Sequence, residues 1–131
     1  MLLLLQTAVI AGGGPQNVLV VVNGRDPDSV RIGEHYMKAR GIPPVNLVTL
    51  DVPTALVTKL AVYKDEIEEP VKQHIAKEGL RGQIDYIVLT RGLPIRVDLP
   101  SGRASTAACL MVMDTPISGS RQQSLQFRQV V

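Results

Sequence analysis

Residues 17–23 read Asn-Val-Leu-Val-Val-Val-Asn, and this segment carries the strongest structural signal in the sequence. Residues 18–22 are apolar at every position, so neither face of the segment suits contact with water. Such runs are typical of strands in parallel sheets that helices cover on both sides. The stretch therefore predicts the central strand of a parallel sheet.

A helix is predicted directly after this strand. Asp26 offers a side-chain oxygen as its N-terminal cap, and Pro27 suits the first helical position. Apolar residues then recur at helical spacing as far as Met37. Gly41 and Pro43 supply the stop signals.

The rest of the chain repeats this alternation of strands and helices. Residues 45–50 and 85–90 predict a second and a third strand, and residues 64–77 predict a helix that Pro70 kinks or breaks. Ser105 caps a short predicted helix over residues 105–113. Residues 53–62 have an ambiguous pattern, and residues 91–103 read as a loop rich in Gly, Pro and charge.

Three strands separated by two helices predict an α/β fold with a parallel sheet and right-handed crossovers. With the strands in the order 1-2-3, both helices would cover one face and leave the other bare. The order 2-1-3 places a helix on each face and the first strand in the middle. We therefore expect a three-layer parallel sheet in the order 2-1-3, with helices on both faces.

The third strand lies at an edge in this order, although it is apolar on both faces. Exposed edges of that kind invite association, so we expect a further strand, a second subunit or a region missing from this chain to pair with it. Residues 124–131 alternate apolar and polar side chains and could form such a strand. The polar segment 115–123 instead favours a truncated chain and an incomplete domain.

The N-terminus favours export. The run Met-Leu-Leu-Leu-Leu-Gln-Thr-Ala-Val-Ile-Ala over residues 1–11 resembles the core of a signal peptide, and it is shorter than the roughly 20 residues that span a membrane. No Lys or Arg precedes the leucines, which leaves a cytoplasmic chain as the alternative. We expect a leader and linker over residues 1–13, an α/β domain over 14–114 and a polar tail or further strand over 115–131.

Composition and motifs argue against several functions. Of the 14 basic residues, Arg121 and Arg128 follow residue 114, which leaves 12 basic against 12 acidic residues in the range 1–114. A neutral body of this kind does not predict nucleic-acid binding. The glycines at 12–14 precede the first strand instead of following it, so no nucleotide cofactor is expected. The spacing of His, Asp and Glu predicts no metal site, and Cys109 reads as a small buried residue.

A candidate ligand site lies beyond the carboxyl ends of the strands. In parallel sheets ligands bind where the strand order reverses, here between the first and third strands. Two arginines and a helix N-terminus there could bind a carboxylate or phosphate. In the alternative interpretation, Asp26 only caps the helix and Asn23 only forms a turn. The two arginines are then solvated or paired with acidic residues. The candidate residues are Asn23, Arg25, Asp26, Asp51, Thr90, Arg91 and Gly92.

Four segments resemble an uncharacterised exported bacterial family whose members are typically longer. They are GPQNVLVVVN at 14–23, ARGIPPVNLVTLD at 39–51, IEEPVKQHI at 67–75 and IDYIVLTRGLPIRV at 84–97. The resemblance implies a leader and an N-terminal α/β region, and it brings no established activity.

The strand order is also similar, more distantly, to gingipain and caspase-like cysteine peptidases. In those enzymes a His-Gly pair follows the third strand and a Cys follows the fourth. Residues 89–94 here read Leu-Thr-Arg-Gly-Leu-Pro, without the histidine, and Cys109 falls in a predicted helix. This departure argues against peptidase activity.

Three hypotheses remain open. The first is a non-enzymatic exported domain that binds or supports a larger protein. The second is a fragment of a hydrolase whose nucleophile and base lie outside this chain. The third is a small-anion-binding module.

Overall fold

The computed structural model describes residues 13–113. The predicted leader up to residue 12 and the whole predicted tail, including the strand at 124–131, lie outside the described residues. The strands are β1 (Val18–Asn23), β2 (Leu47–Leu50), β3 (Val57–Lys59), β4 (Tyr86–Leu89), β5 (Arg96–Leu99) and β6 (Gly102–Ser105). The helices are α1 (Pro27–Arg40), α2 (Leu60–Tyr63), α3 (Glu69–Lys77) and α4 (Thr106–Met111), with a π-helical turn at Lys64–Glu68 between α2 and α3.

The first sheet has the order β2-β1-β4, and both pairings are parallel. This confirms the predicted arrangement for these three strands. Residues 19–22 of β1 are fully buried, as the unbroken apolar run requires. The predicted central strand is therefore central.

Alternate residues of β1 enter two different cores. Val20 and Val22 pack with Met37 of α1 and with Ile42. Leu19 and Val21 pack into a larger core on the opposite face, to which α2, the π turn, α3, β5 and α4 contribute. Helices therefore cover both faces of the first sheet.

Helix α1 lies unusually close to the sheet at Gly33. A Cβ atom at this position would overlap a γ-methyl group of Val22. The absence of a side chain at Gly33 thus permits this approach. The helix ends as predicted, with Gly41 in the left-handed conformation.

The expectation of one three-stranded sheet was incomplete. A second, mixed sheet has the order β3-β5-β6, with β3 parallel to β5 and β5 antiparallel to β6. It occupies the ambiguous segment 53–62 and the predicted loop 91–103. Its strands have only three or four residues, and β3 pairs with β5 across almost forty residues of sequence, at Val57 and Arg96. No local pattern signals a pairing of that range, because its stability comes from tertiary contacts.

The second helical segment also differs from its prediction. It begins at Leu60 instead of about residue 64, and the π turn interrupts it. Pro70 is the second residue of α3, and proline, which has no backbone N–H, is tolerated at the start of a helix. The predicted kink or break at the proline is not seen: the segment changes from π to α type just before it, and the backbone stays helical through Glu68 and Glu69.

Candidate functional site

The seven candidate site residues gather at the carboxyl ends of β1, β2 and β4. Asn23 ends β1 beside Leu50 of β2, and Asp51 follows Leu50 directly. Thr90 follows β4, and its amide donates to the carbonyl of Val21. The sequence therefore located a real junction, where the turns after three parallel strands meet.

Asn23 is the centre of this junction and is fully buried. Its Nδ2 donates to the carbonyl oxygen of Val52 at 2.9 Å and to that of Gly92 at 2.8 Å. Its Oδ1 accepts from the backbone amide of Arg25 at 3.1 Å. One amide thus joins the turns after all three strands, and its hydrogen-bonding capacity is used within the protein.

Arg25 and Asp51 form an ion pair across the turns after β1 and β2. The Arg25 Nε donates to Asp51 Oδ1, and both side chains are largely exposed. This hydrogen bond raises the pKa of the arginine and lowers the pKa of the carboxyl from its ordinary value. An added anion would have to compete with Asp51 for this guanidinium group.

Arg91 is held in the same way after β4. Its Nη1 lies 3.3 Å from a carboxylate oxygen of Asp28, and its Nε lies 3.6 Å from Asp26 Oδ2. Asp26 also caps α1 by accepting from the amide of Asp28. Gly92 has a φ of 83°, and a Cβ atom there would overlap the Asp26 carboxylate, so the glycine is required for this turn.

A buried pair of hydroxyl groups completes the junction. The Oγ of Ser29 lies 2.6 Å from Oγ1 of Thr90, and it accepts from the backbone amide of Asn23 at 2.8 Å. Sequence reasoning missed Ser29. The sequence feature that could have indicated it is a serine in the first turn of the helix that follows Asn23. The hydroxyl of a serine in that position can point back to the end of the strand.

The polar groups of the junction therefore hold the turns after the three strands together. Its amide and hydroxyl groups bond to one another, and each arginine has a carboxylate partner. Among the described residues, neither histidine nor the cysteine is part of it: His74 contacts the carbonyl of Val45 before β2, His35 is exposed on α1 and Cys109 is buried in α4. Within residues 13–113, no group of three or more His, Cys, Asp or Glu side chains could hold a metal ion.

A second polar cluster lies inside the larger core, and the sequence did not reveal it. The Glu68 carboxylate is buried and bonds to Lys64 Nζ at 2.8 and 2.9 Å. The hydroxyl of Tyr63 is buried without a hydrogen-bond partner in the described part of the chain. Burial, and secondly the charge of Glu68, raise the pKa values of Tyr63 and Cys109. A thiol held protonated in this way is a poor nucleophile.

An open groove lies away from the strand-end junction. It has a volume of about 870 Å³, and every residue of β4 contributes to its lining. Its walls are mainly apolar and come from α3, the turn after it and α4; they include Ile75, Leu80, Ile84, Leu110 and Met111. A smaller cavity of about 300 Å³ lies past the end of β4, beside Thr90, Arg91 and Thr106.

Comparisons with models of protein families, with curated proteins and with solved structures found no match for this chain. The candidate site therefore has to be interpreted from its own chemistry. In the range 13–113, no helix has the length and apolar character needed to cross a membrane.

Proposed function

We propose that this chain is a non-enzymatic α/β domain that works by binding an extended, apolar polypeptide segment along the edge of β4. The observation that carries the proposal is the groove beside that edge, together with the absence of a strand on the outer side of β4 among residues 13–113. An extended segment added to a sheet edge gains main-chain hydrogen bonds, while adjacent pockets accept its side chains.

Exposure of apolar groups in the groove supports this proposal. Tyr86 of β4 is 55% exposed and Met111 of α4 is 82% exposed, whereas the interior of β1 is fully buried. Large apolar side chains gathered around an open edge are characteristic of interaction surfaces. The strand-end junction, by comparison, already has its polar groups paired, which favours a structural role there.

Binding of a fluorescent apolar dye tests the groove directly. At a concentration where the chain is monomeric, the folded wild-type protein should bind the dye, and Met111→Glu should abolish most of this binding without lowering the melting temperature. Leu56→Glu is the matched control, because Leu56 is 73% exposed but lies beside the second sheet. Equal loss of dye binding in both variants, or none in either, would contradict the proposal.

A second candidate function is weak binding of a small anion at the strand-end junction. Its support is the placement of Arg25 and Arg91 on adjacent turns, with both side chains partly exposed. Because Asp51, Asp26 and Asp28 already neutralise these arginines, only weak affinity is expected. Inorganic phosphate at millimolar concentration should raise the melting temperature of the wild type and not of Arg25→Gln. No rise in the wild type would remove this candidate.

Export also stays a proposal, supported by the apolar run at residues 1–11. Expression with a C-terminal tag in a bacterial host should yield a periplasmic protein that has lost its first residues. Intact-mass measurement of the tagged protein, which gives the position of its N-terminus, tests this. A full-length chain in the cytoplasm would contradict export.

A further inference from the structure

The two edges of the first sheet differ in character. Along β2, burial alternates, and the polar Thr49 faces solvent between the buried Val48 and Leu50. Along β4, Ile87, Val88 and Leu89 are all partly buried, and none of them is polar. The β2 edge is thus compatible with exposure to solvent, whereas the β4 edge exposes apolar surface on both faces.

The register of β4 shows which of its main-chain groups are open. Thr90 N donates to the carbonyl of Val21, while Leu89 is the register partner of Val21. Main-chain groups alternate in direction along a strand, so those of Val88 and Thr90 face β1. Those of Ile87 and Leu89 face outward, where no strand lies within the described range.

The sequence around Val88 is symmetrical in its chemistry. Ile87 and Leu89 flank it as apolar residues of equal size, with open main-chain groups. Three positions before it lies Asp85, and three positions after it lies Arg91. Asp85 is exposed, without an ion-pair partner among residues 13–113. The Arg91 side chain contacts Asp26 and Asp28 of its own copy but is 63% exposed, so a further carboxylate can still reach it.

We propose that β4 pairs antiparallel with β4 of a second copy of this chain, on a twofold axis through Val88. Ile87 of each copy then lies opposite Leu89 of the other, and the open main-chain groups of both residues are paired. Asp85 of each copy lies opposite Arg91 of the other, and opposite charges in that position stabilise a strand pair. The two three-stranded sheets join into one continuous sheet. This inference rests on the proposed function, since it names the segment that the β4 edge binds.

The self-complementarity of β4 favours a second copy over an unrelated segment. Twofold pairing requires a strand to match its own reverse, in apolar character and in charge. Around Val88, Ile87 matches Leu89 in apolar character and Asp85 matches Arg91 in opposite charge, whereas Tyr86 and Thr90 do not match each other.

Disulfide trapping tests the axis. Residues opposite each other in a non-hydrogen-bonded antiparallel pair have Cα atoms about 4.5 Å apart, which a disulfide can bridge. Val88→Cys in a Cys109→Ser background should therefore form a covalent dimer under mild oxidation. Thr49→Cys in the same background is the control on the β2 edge and should stay monomeric. Equal cross-linking of both variants, or none at Val88→Cys, would overturn the proposal.

Sedimentation equilibrium of the full chain tests the charge pairing. Asp85→Arg places like charges opposite each other twice in the dimer and should weaken dimerisation at least about tenfold. Glu78→Arg makes the same change of charge at an exposed position outside the groove and should leave dimerisation unchanged. Equal effects of the two variants would overturn the register proposed here.

The dye measurement separates failure of this inference from failure of the proposed function. A chain that stays monomeric at all concentrations and binds the dye in its groove has an open edge, so only the second copy is wrong. A monomer that binds no dye has a covered groove, and both proposals are then wrong. A dimer that Val88→Cys traps and Asp85→Arg weakens supports both.

Discussion

Strands β1 and β4 have nearly the same apolar sequence pattern but lie in different environments. Residues 19–22 of β1 are fully buried between two neighbouring strands and two layers of helices. Residues 87–89 of β4 pair with β1 on one side, no strand among residues 13–113 pairs with their other side, and they are partly buried. An unbroken apolar run therefore indicates a strand that needs covering on both faces. It does not indicate whether the same domain supplies all of the cover.

Asn23 should show the largest effect, because it connects the end of β1 to the turn after β4. Asn23→Ala leaves the buried carbonyl group of Val52 and the partly buried carbonyl group of Gly92 without their donor. Unsatisfied buried groups cost about 1–3 kcal/mol each, so the free energy of unfolding should fall by about 3 kcal/mol or more. Urea unfolding followed by circular dichroism measures the change.

Asn17→Ala is the matched control at the other end of β1. Asn17 donates to the carbonyl of Gln83, but it is only partly buried, so water can replace its side chain. Its loss should be less than half that of Asn23→Ala. A larger loss at Asn17 would show that the strand-end junction does not hold the two strands together.

Val20 and Val88 give the next largest effect and compare the two strands directly. They are register partners on the same face of the sheet, and Val20 is fully buried while Val88 is partly exposed. Val20→Ala should cost about 2 kcal/mol or more, from lost burial and from the cavity left behind. Val88→Ala should cost roughly 1 kcal/mol, because less surface is uncovered. Equal losses at low protein concentration would mean that β4 is as well covered as β1.

Cys109 probes how tightly α4 packs beside β4. Burial raises the pKa of this thiol, so thiolate forms only at a pH above the ordinary range for cysteine. A thiol reagent at pH 8 should react with the folded protein roughly a hundredfold or more slowly than with the unfolded chain, because reaction requires local opening. Comparable rates in buffer and in urea would show that the layer next to the groove is loose.

Asp51 should show the smallest effect, because its ion pair with Arg25 is exposed. The pKa of Asp51 is lower in the folded protein than in the unfolded chain. Its contribution to stability is therefore present above about pH 4, the ordinary value for the group, and is lost as the pH falls through the folded-state pKa. Asp51→Asn should lower the melting temperature slightly at pH 7, and high salt should remove the difference. A large loss at pH 7 would mean that the turn after β1 depends on this pair.

The sequence predicted the first sheet well because its strands have strong local signals. The apolar run of β1 indicated its central place, and the start and stop signals at Asp26 and Gly41 indicated α1. The second sheet could not be predicted, since β3, β5 and β6 are short and pair through contacts distant in sequence. Its Gly, Pro and charged residues have the composition of a loop.

The candidate site was predicted in place but not in its internal bonding. The turns that follow parallel strands lie at the same edge of a sheet, and this rule was sufficient to predict that the seven candidate residues are neighbours. Whether Arg25 and Arg91 would pair with carboxylates depended on the path of each turn, which no residue pattern specifies. Ser29 and the buried Glu68 were missed for a related reason: their partners are close in space and not in the pattern of the sequence.

Residue-resolved amide hydrogen exchange, at a concentration where the chain is monomeric, measures how well each main-chain group of β1 and β4 is covered. The amides of Val88 and Thr90, which face β1, should exchange as slowly as those of Val20 to Val22. The amides of Ile87 and Leu89 should exchange far faster, because they face an open edge. Slow exchange at Ile87 and Leu89 in the monomer would contradict the account, since the edge of β4 would then be covered by the chain itself.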